Sequence, residues 1–425
     1  MIDPVRILFL SDNFPPEGNA PATRLHEHAL RWVRAGHEVT VVTCAPNFPE
    51  GKLFPGYRNH WRKVELLDGI RVVRVKTYIT ANEGTIKRTL DYMSFMLMGF
   101  IAGLFERRPD VVIATSPQFF CAIAGWALAG TRRLPFVFEL RDLWPASITA
   151  LGVMQRGRVI AMLEWLELLL YRRAAAVVPV THSFRRDLIE RGIAAEKIHV
   201  VINGVDLERY RPAPKDPVLE VELDLVGRLV VSYLGTHGLA HALHSVLDAA
   251  DLLRHRQDVV FLFAGGGAER ASVEKAVEER GLTNVRLVPR QPKEMMARLW
   301  SLCDIALIPL KDTPVFATVL PSKLFEAMGM GVAVLMSLPE GEATAIVRAT
   351  GCGMCVPPED PAAMSQALLY LLDNPAALAM ARRHSAEAAR DHSRQTQAML
   401  MLEILEKTVD NSSSGLGVSR PCRSR

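Results

Sequence analysis

Ser322-Lys323-Leu324-Phe325-Glu326 is the segment best equipped for chemistry. It opens a short helix that follows a loop and leads into an apolar strand, the whole running from Leu320 to Val334. Ser322 is expected to cap the helix start, where free backbone N–H groups and the helix dipole favour a phosphate. Lys323 adds a mobile cation for a diphosphate. Glu326, one turn further on, can accept two hydroxyls of a ribose. Gly329 and Gly331 permit close approach of helix to strand. The same residues also describe an ordinary capped helix with an exposed Lys–Glu pair, and the pattern alone leaves both readings open.

Other candidates are weaker. Arg141 and Asp142 follow the apolar run Phe136–Leu140 and so stand at a strand end, as a ligand-binding pair or a structural salt bridge. His237, His241 and His244 have spacings of four and three, which one helical face could carry. No carboxylate joins that face, so no metal is expected. Cys352-Gly-Met-Cys355 has no second pair to complete a zinc site. The Ala264–Gly267 run is a common kind of turn after a strand.

These residues need a scaffold, and the apolar runs supply one. Ile7–Leu10 reads as a buried parallel strand, Ala22–Arg34 as a helix stopped by Gly36, and Val39–Thr43 as the next strand. Strand, helix, strand at this spacing implies a right-handed crossover. Further strands are expected at Val111–Ala114, Phe136–Leu140, Ala176–Val180 and His199–Ile202, with helices at Ala122–Ala129, Ile160–Ala174 and Phe184–Arg191. Tyr210–Pro217 reads as an exposed linker. The pattern restarts at Leu229–Leu234 and returns at Val259–Phe263, Val285–Val288, Ile305–Ile308 and Val332–Met336. The expected fold is α/β, with two Rossmann-like doubly wound domains facing each other across a cleft at the carboxyl ends of their strands. Domains are expected at 1–204 and 205–383. Residues 384–409 should be helical and pack back on the first domain, and 410–425, rich in Ser, Gly and Arg, should be disordered.

The charge is uneven. Residues 1–205 carry 26 Lys+Arg against 19 Asp+Glu, and the remainder 24 against 27. A basic first half suits a diphosphate or an acidic membrane surface, or is a solvated basic face. Two apolar stretches end in cations: Tyr92–Phe105 before Arg107-Arg108, and Trp165–Tyr171 before Arg172-Arg173. They suit a membrane interface, or core helices with basic ends; the longer, of about 14 residues, is too short to span a bilayer. The start at Met1–Arg6 shows no secretory leader, and six scattered cysteines argue for a reduced setting. A cytoplasmic location, with peripheral attachment to the plasma membrane, is expected.

With these motifs in place, the chain resembles the retaining glycosyltransferases of GT-B fold, family 4. The resemblance rests on Leu320–Val334, on Phe9-Leu10-Ser11-Asp12-Asn13-Phe14-Pro15-Pro16-Glu17-Gly18, on Glu139–Pro145, on Val201–Asp206 and on Phe263–Glu269, in that family's order and spacing. It is most similar to the L-fucosamine and N-acetylfucosamine transferases of surface-polysaccharide assembly. The resemblance implies retention at the anomeric carbon, a UDP-sugar donor carrying an N-acetylated amino sugar, and a polyprenyl-diphosphate-linked saccharide as acceptor. It implies no cofactor, no metal and no nucleic-acid partner. Gly18, Gly235, Thr236, Gly265, Gly266, Arg290, Thr318, Ser322, Lys323 and Glu326 fall on the donor side, Asn13 and Arg24 on the acceptor side, and Arg141, Asp142, Lys323 and Glu326 at the reaction centre. Two departures stand out. The first of the family's two glutamates maps to Thr318, and the stretch Gly235–His241 lacks the Arg and Lys that usually hold the diphosphate. Lys323 is expected to replace them. An epimerase of the same fold and a non-catalytic nucleotide-sugar-binding subunit are the alternatives; no GxGxxG motif supports a dehydrogenase.

Overall fold

The structure is a computed structural model that describes residues 4–48, 50–80, 85–116, 118–145 and 157–415. The chain forms two units. The first runs to Ile202 and takes up the chain again from Gln395; the second is Asn203–Arg394.

In the first unit, strands β1 (Arg6–Leu10), β2 (Glu38–Cys44), β3 (Arg62–Leu67), β4 (Ile70–Val75), β5 (Val111–Thr115), β6 (Phe136–Leu140) and β7 (Ala176–Pro179) form one sheet in the order β3-β4-β2-β1-β5-β6-β7. Helices α1 (Ala20–Arg34), α2 (Thr85–Phe105), α3 (Phe119–Arg132), α4 (Arg158–Arg173) and α5 (His182–Glu190) alternate with them. Every residue of β5, β6 and β7 is buried, which is why those segments read as mainly apolar runs, with Glu139 in β6 the charged exception. Only β3 and β4 pair antiparallel. That hairpin is absent from the expectations above because β3 alternates charged and apolar residues and lies half exposed.

In the second unit, α6 (Pro217–Glu222) precedes β8 (Leu229–Leu234), α7 (Leu243–Leu252), β9 (Val259–Ala264), α8 (Arg270–Arg280), β10 (Val285–Val288), α9 (Lys293–Ser301) and β11 (Ile305–Pro309). Then come α10 (Ser322–Gly329), β12 (Ala333–Ser337), α11 (Glu342–Thr350), β13 (Gly353–Val356), α12 (Pro361–Asp373) and α13 (Pro375–Ala388). The sheet order is β10-β9-β8-β11-β12-β13, all parallel.

The last helix, α14 (Arg394–Gly415), packs on the first unit. Its Met401, Leu402 and Leu405 share a core with Phe9, Trp32 and Val41, and the Trp32 indole donates to the Ala398 carbonyl at 2.8 Å. The helix reaches Gly415, so the expected disordered tail does not begin at residue 410; residues 416–425 lie outside the described ones. His199–Ile202 is likewise not a strand. After the bridge Val177–Ile198, the amides of His199 and Val201 reach the Val177 and Pro179 carbonyls, too few bonds for a ladder.

Each sheet has one place where neighbouring strands send their loops opposite ways. In the first unit it lies between β1 and β5, in the second between β8 and β11. Ligands of doubly wound sheets settle at such points, outside the carboxyl ends of the strands.

Candidate functional site

In the second unit the crevice is built by glycine turns. Gly235, Gly265 and Gly267 all have φ between +146° and +155°. A Cβ on Gly265 would lie 1.8 Å from the Gly235 carbonyl oxygen, and one on Gly267 2.6 Å from that of His237. Without side chains the two loops join by backbone: Gly235 N–H donates to Ala264, His237 N–H to Gly266 and Glu269 N–H to His237, at 2.8–2.9 Å. Gly266 lies alongside the exposed Arg290, its would-be Cβ 3.7 Å from the Arg290 Cβ.

Lys323 reaches into this turn from α10. Its ammonium is buried, sits 3.9 Å from the centroid of the Tyr233 ring, and has no hydrogen-bond partner among the described residues. A Cβ on Gly235 would come within 3.2 Å of it. Burial pulls the ammonium down to about 7, against the opposing pull of Glu326. An isolated, desolvated cation of this kind gains most from an incoming anion. Glu326 accepts from the Trp300 indole at 3.2 Å.

Several sequence expectations change here. The helix cap is Pro321, which makes no side-chain capping bond, and Ser322 is the first helical residue. The Thr318 hydroxyl donates to the Val315 carbonyl at 2.7 Å. Thr236 is exposed. The three histidines do not share a helical face, because a 3-10 turn and a left-handed Ala242 intervene before α7. His241 Nδ1 lies 3.2 Å from the Gly238 carbonyl and His244 Nε2 2.8 Å from the Ser272 hydroxyl. His237 is fully buried beside Tyr233 and Phe263 and is held neutral, its value lowered to about 4 by burial and by the charges of Arg270 and Lys323.

The first unit has a cavity of about 270 Å³ at its own crevice. Ser11, Asp12, Asn13, Glu17 and Asn19 line it from the loop after β1, Thr115 from the end of β5, Ser116 and Gln118 from the loop beyond it, and Arg88, Asp91 and Tyr92 from α2. Burial raises Glu17 to about 7 even though two backbone amides bond its Oε1, and burial with the nearby Asp12 charge raises Asp91 to about 7. Asn13 is tied to Asn19, whose amide donates to its Oδ1 at 2.7 Å. Gly18 faces open space. Arg141 and Asp142 sit at the end of β6, their amides on the Ser116 hydroxyl.

Arg24 was expected to meet an acceptor, and the structure gives it other work. It is 1% exposed and donates to Glu139 at 3.0 Å and to the carbonyls of Ile202 and Val201 at 2.8 and 2.9 Å. Burial pushes the Glu139 carboxyl up, but Arg24 and Arg141 outweigh it and hold the value below the ordinary one. Sequence reasoning in turn passed over Tyr233, Trp300, Glu17 and Asp91. Glu17 stands inside the Phe9–Gly18 motif, and Asp91 immediately precedes Tyr92–Phe105, a stretch read only for its apolar residues.

Two doubly wound units with ligand crevices at their switch points match known enzymes. Residues 19–204 match the Glycosyl transferase 4-like domain, and residues 223–392 match Glycosyl transferases group 1. Sucrose-phosphate synthase from Thermosynechococcus elongatus superposes with a TM-score of 0.77 at 18% identity, covering 95% of this chain and 99% of that one. HepE of Anabaena, in complex with UDP and glucose, gives 0.71 at 18% identity, over 94% of this chain and 99% of that one. The fold is GT-B. By sequence, a glycosyl transferase of Escherichia coli K12 assigned to colanic acid biosynthesis, WcaI, is 29% identical over 394 residues, covering 89% of this chain and 96% of that protein. The chain belongs to the glycosyltransferases that join a 4-like domain to a group 1 domain.

Proposed function

We propose that the protein is a retaining glycosyltransferase that moves an N-acetylated amino sugar from a UDP donor onto a polyprenyl-diphosphate-linked saccharide during surface-polysaccharide assembly. The observation that carries the donor side is the buried Lys323 ammonium, unpartnered among the described residues, at the switch point of the second unit. In this reading the diphosphate charge is met without a metal by Lys323, Arg290, the first-turn amides from Ser322 and the amides around Gly235, Thr236, Gly265 and Gly266. Glu326, oriented by Trp300, takes the ribose, and Thr318 offers a neutral hydroxyl where relatives have an acid. On the first unit, Gly18 leaves backbone open to the donor phosphates, Arg141 with Asp142 faces the donor sugar, and Asn13 faces the acceptor. HepE, solved with UDP and with UDP-glucose, supports the donor class. WcaI and TuaH of Bacillus subtilis, assigned to colanic and teichuronic acid biosynthesis, support the pathway class.

Membrane attachment on the cytoplasmic face has a surface to support it. Among the described residues no helix is long and apolar enough to cross a membrane. Yet α2 exposes Leu90, Met93, Leu97, Ile101 and Phe105 along one side, with Arg107 and Arg108 just beyond its end. Apolar residues beside cations suit an anionic lipid interface. Calorimetry with UDP, GDP and dTDP, paired with a transfer assay on a polyprenyl-diphosphate saccharide, tests the proposal. GDP belongs in the set because a GDP-mannose-dependent mannosyltransferase of Mycobacterium tuberculosis is 27% identical over 285 residues. UDP binding without transfer would favour a non-catalytic subunit; no nucleotide binding would end the reading.

A further inference from the structure

We infer that the crevice of the first unit receives one uncharged or amine-bearing sugar ring of the acceptor and turns away uronate and phosphate groups. This rests on the glycosyl-transfer reading. Its ground is a set of buried, unpartnered acceptor atoms on residues that line one cavity. Glu17 is 3% exposed; its Oε1 is taken by the Asn47 and Phe48 amides at 2.8 and 2.9 Å, while Oε2 has no partner among the described residues. Asp12 Oδ1 and Gln118 Oε1 are buried and equally without partner there, although the Gln118 amide bonds the other Asp12 oxygen. Unpaired acceptors in a cavity cost free energy, and the hydroxyl or ammonium groups of a ligand would bring hydrogens to them.

The shape and charge narrow the ligand further. A cavity of about 270 Å³ lies below the size that drug-sized molecules occupy and suits a single ring. Tyr92 also lines the cavity; Arg88 donates to its hydroxyl at 3.0 Å and holds its guanidinium over the ring, 5.7 Å from the centroid. Among the described lining residues Asp12, Glu17 and Asp91 are acids and Arg88 is the one Arg or Lys; its Nε is also buried without a partner there, so one donor stands among three carboxyl groups. An entering carboxylate or phosphate meets three acids against one guanidinium. A hydroxyl or ammonium meets acceptors already in place.

The test uses the full chain saturated with UDP, so that free sugars report on the remaining site. Methyl glucoside, methyl glucosaminide and methyl glucuronide are titrated by saturation-transfer NMR. The first two should bind, and the glucuronide should be at least tenfold weaker. Asp91→Asn should weaken the glucosaminide about tenfold and strengthen the glucuronide. Glu17→Gln, which keeps the bonded Oε1 position, should weaken all hydroxyl binding. Neither should move UDP affinity. Equal binding of glucoside and glucuronide, no binding of any of the three, or indifference to Asp91→Asn overturns the inference. If Glu17→Gln fails to fold, Asp91→Asn on half-exposed α2 decides alone. Failure of UDP to bind the wild type defeats the glycosyl-transfer reading separately, and the three sugars then still report on the crevice.

Discussion

The crevices of the two units share a topology and carry opposite charge. Between β8 and β11 a cation, Lys323, stands buried without a bonded anion among the described residues. Between β1 and β5 carboxylates stand buried with acceptor atoms to spare. Burial moves each toward neutrality, the lysine down and Glu17 and Asp91 up, all to about 7. Desolvation has been set against ionisation in both places, and each site is relieved by a ligand of opposite demand: an anion in one, hydrogen donors in the other. A doubly wound sheet thus fixes where a ligand sits and leaves its chemistry to a few side chains.

The largest blow to this contrast comes from the backbone. Gly265→Ala forces a Cβ onto the Gly235 carbonyl at a φ that alanine avoids, and should cost about 2–4 kcal/mol in denaturant unfolding and abolish nucleotide binding in calorimetry. Unchanged stability would mean the loops are not locked together. Next is Lys323→Met. It should lower kcat/KM for the donor about ten- to a hundredfold while raising the stability of ligand-free protein at pH 6 by on the order of 2 kcal/mol. A variant that loses both would show that Lys323 is structural.

The pH dependence sharpens the comparison. Lys323 binds fewer protons folded than unfolded between about 7 and its ordinary 10.5, so its contribution to stability rises with pH across that window. Glu17, raised from 4.5 to about 7, binds more protons folded than unfolded, so stability falls with pH between those values. Thermal melts of Lys323→Met should lose the rise, and those of Glu17→Gln should lose part of the fall. UDP binding to the wild type should weaken about fivefold from pH 7 to 8, as the free ammonium deprotonates. The smallest effect is expected from Trp300→Phe, which removes the indole bond to Glu326. It should raise KM for the donor a few-fold, with kcat kept, a loss of about 0.5–1.5 kcal/mol.

The alternation of strand and helix was legible because buried parallel strands such as β5 and β6 cannot alternate and must read as mainly apolar runs. The β3–β4 hairpin left a signal, Asp68-Gly69 with both residues at positive φ, that an apolar-run reading does not register. Lys323 and Glu326 could be picked out as polar residues on a short helix after a loop. Tyr233 under the ammonium could not, since it sits in a strand 90 positions earlier and looks like core. Arg24 misled for the same reason: its partner Glu139 is 115 residues away, and nothing local distinguishes a guanidinium bound inside from one waiting for a ligand.

The return of α14 has a consequence for synthesis. Domains commonly fold as they emerge, the first-made first. Here the core around Trp32 and Val41 wants Met401, Leu402 and Leu405, which the ribosome delivers only after all of Asn203–Arg394. The half that is born first is therefore closed last, and its apolar flank must wait, uncovered, while the other half is made.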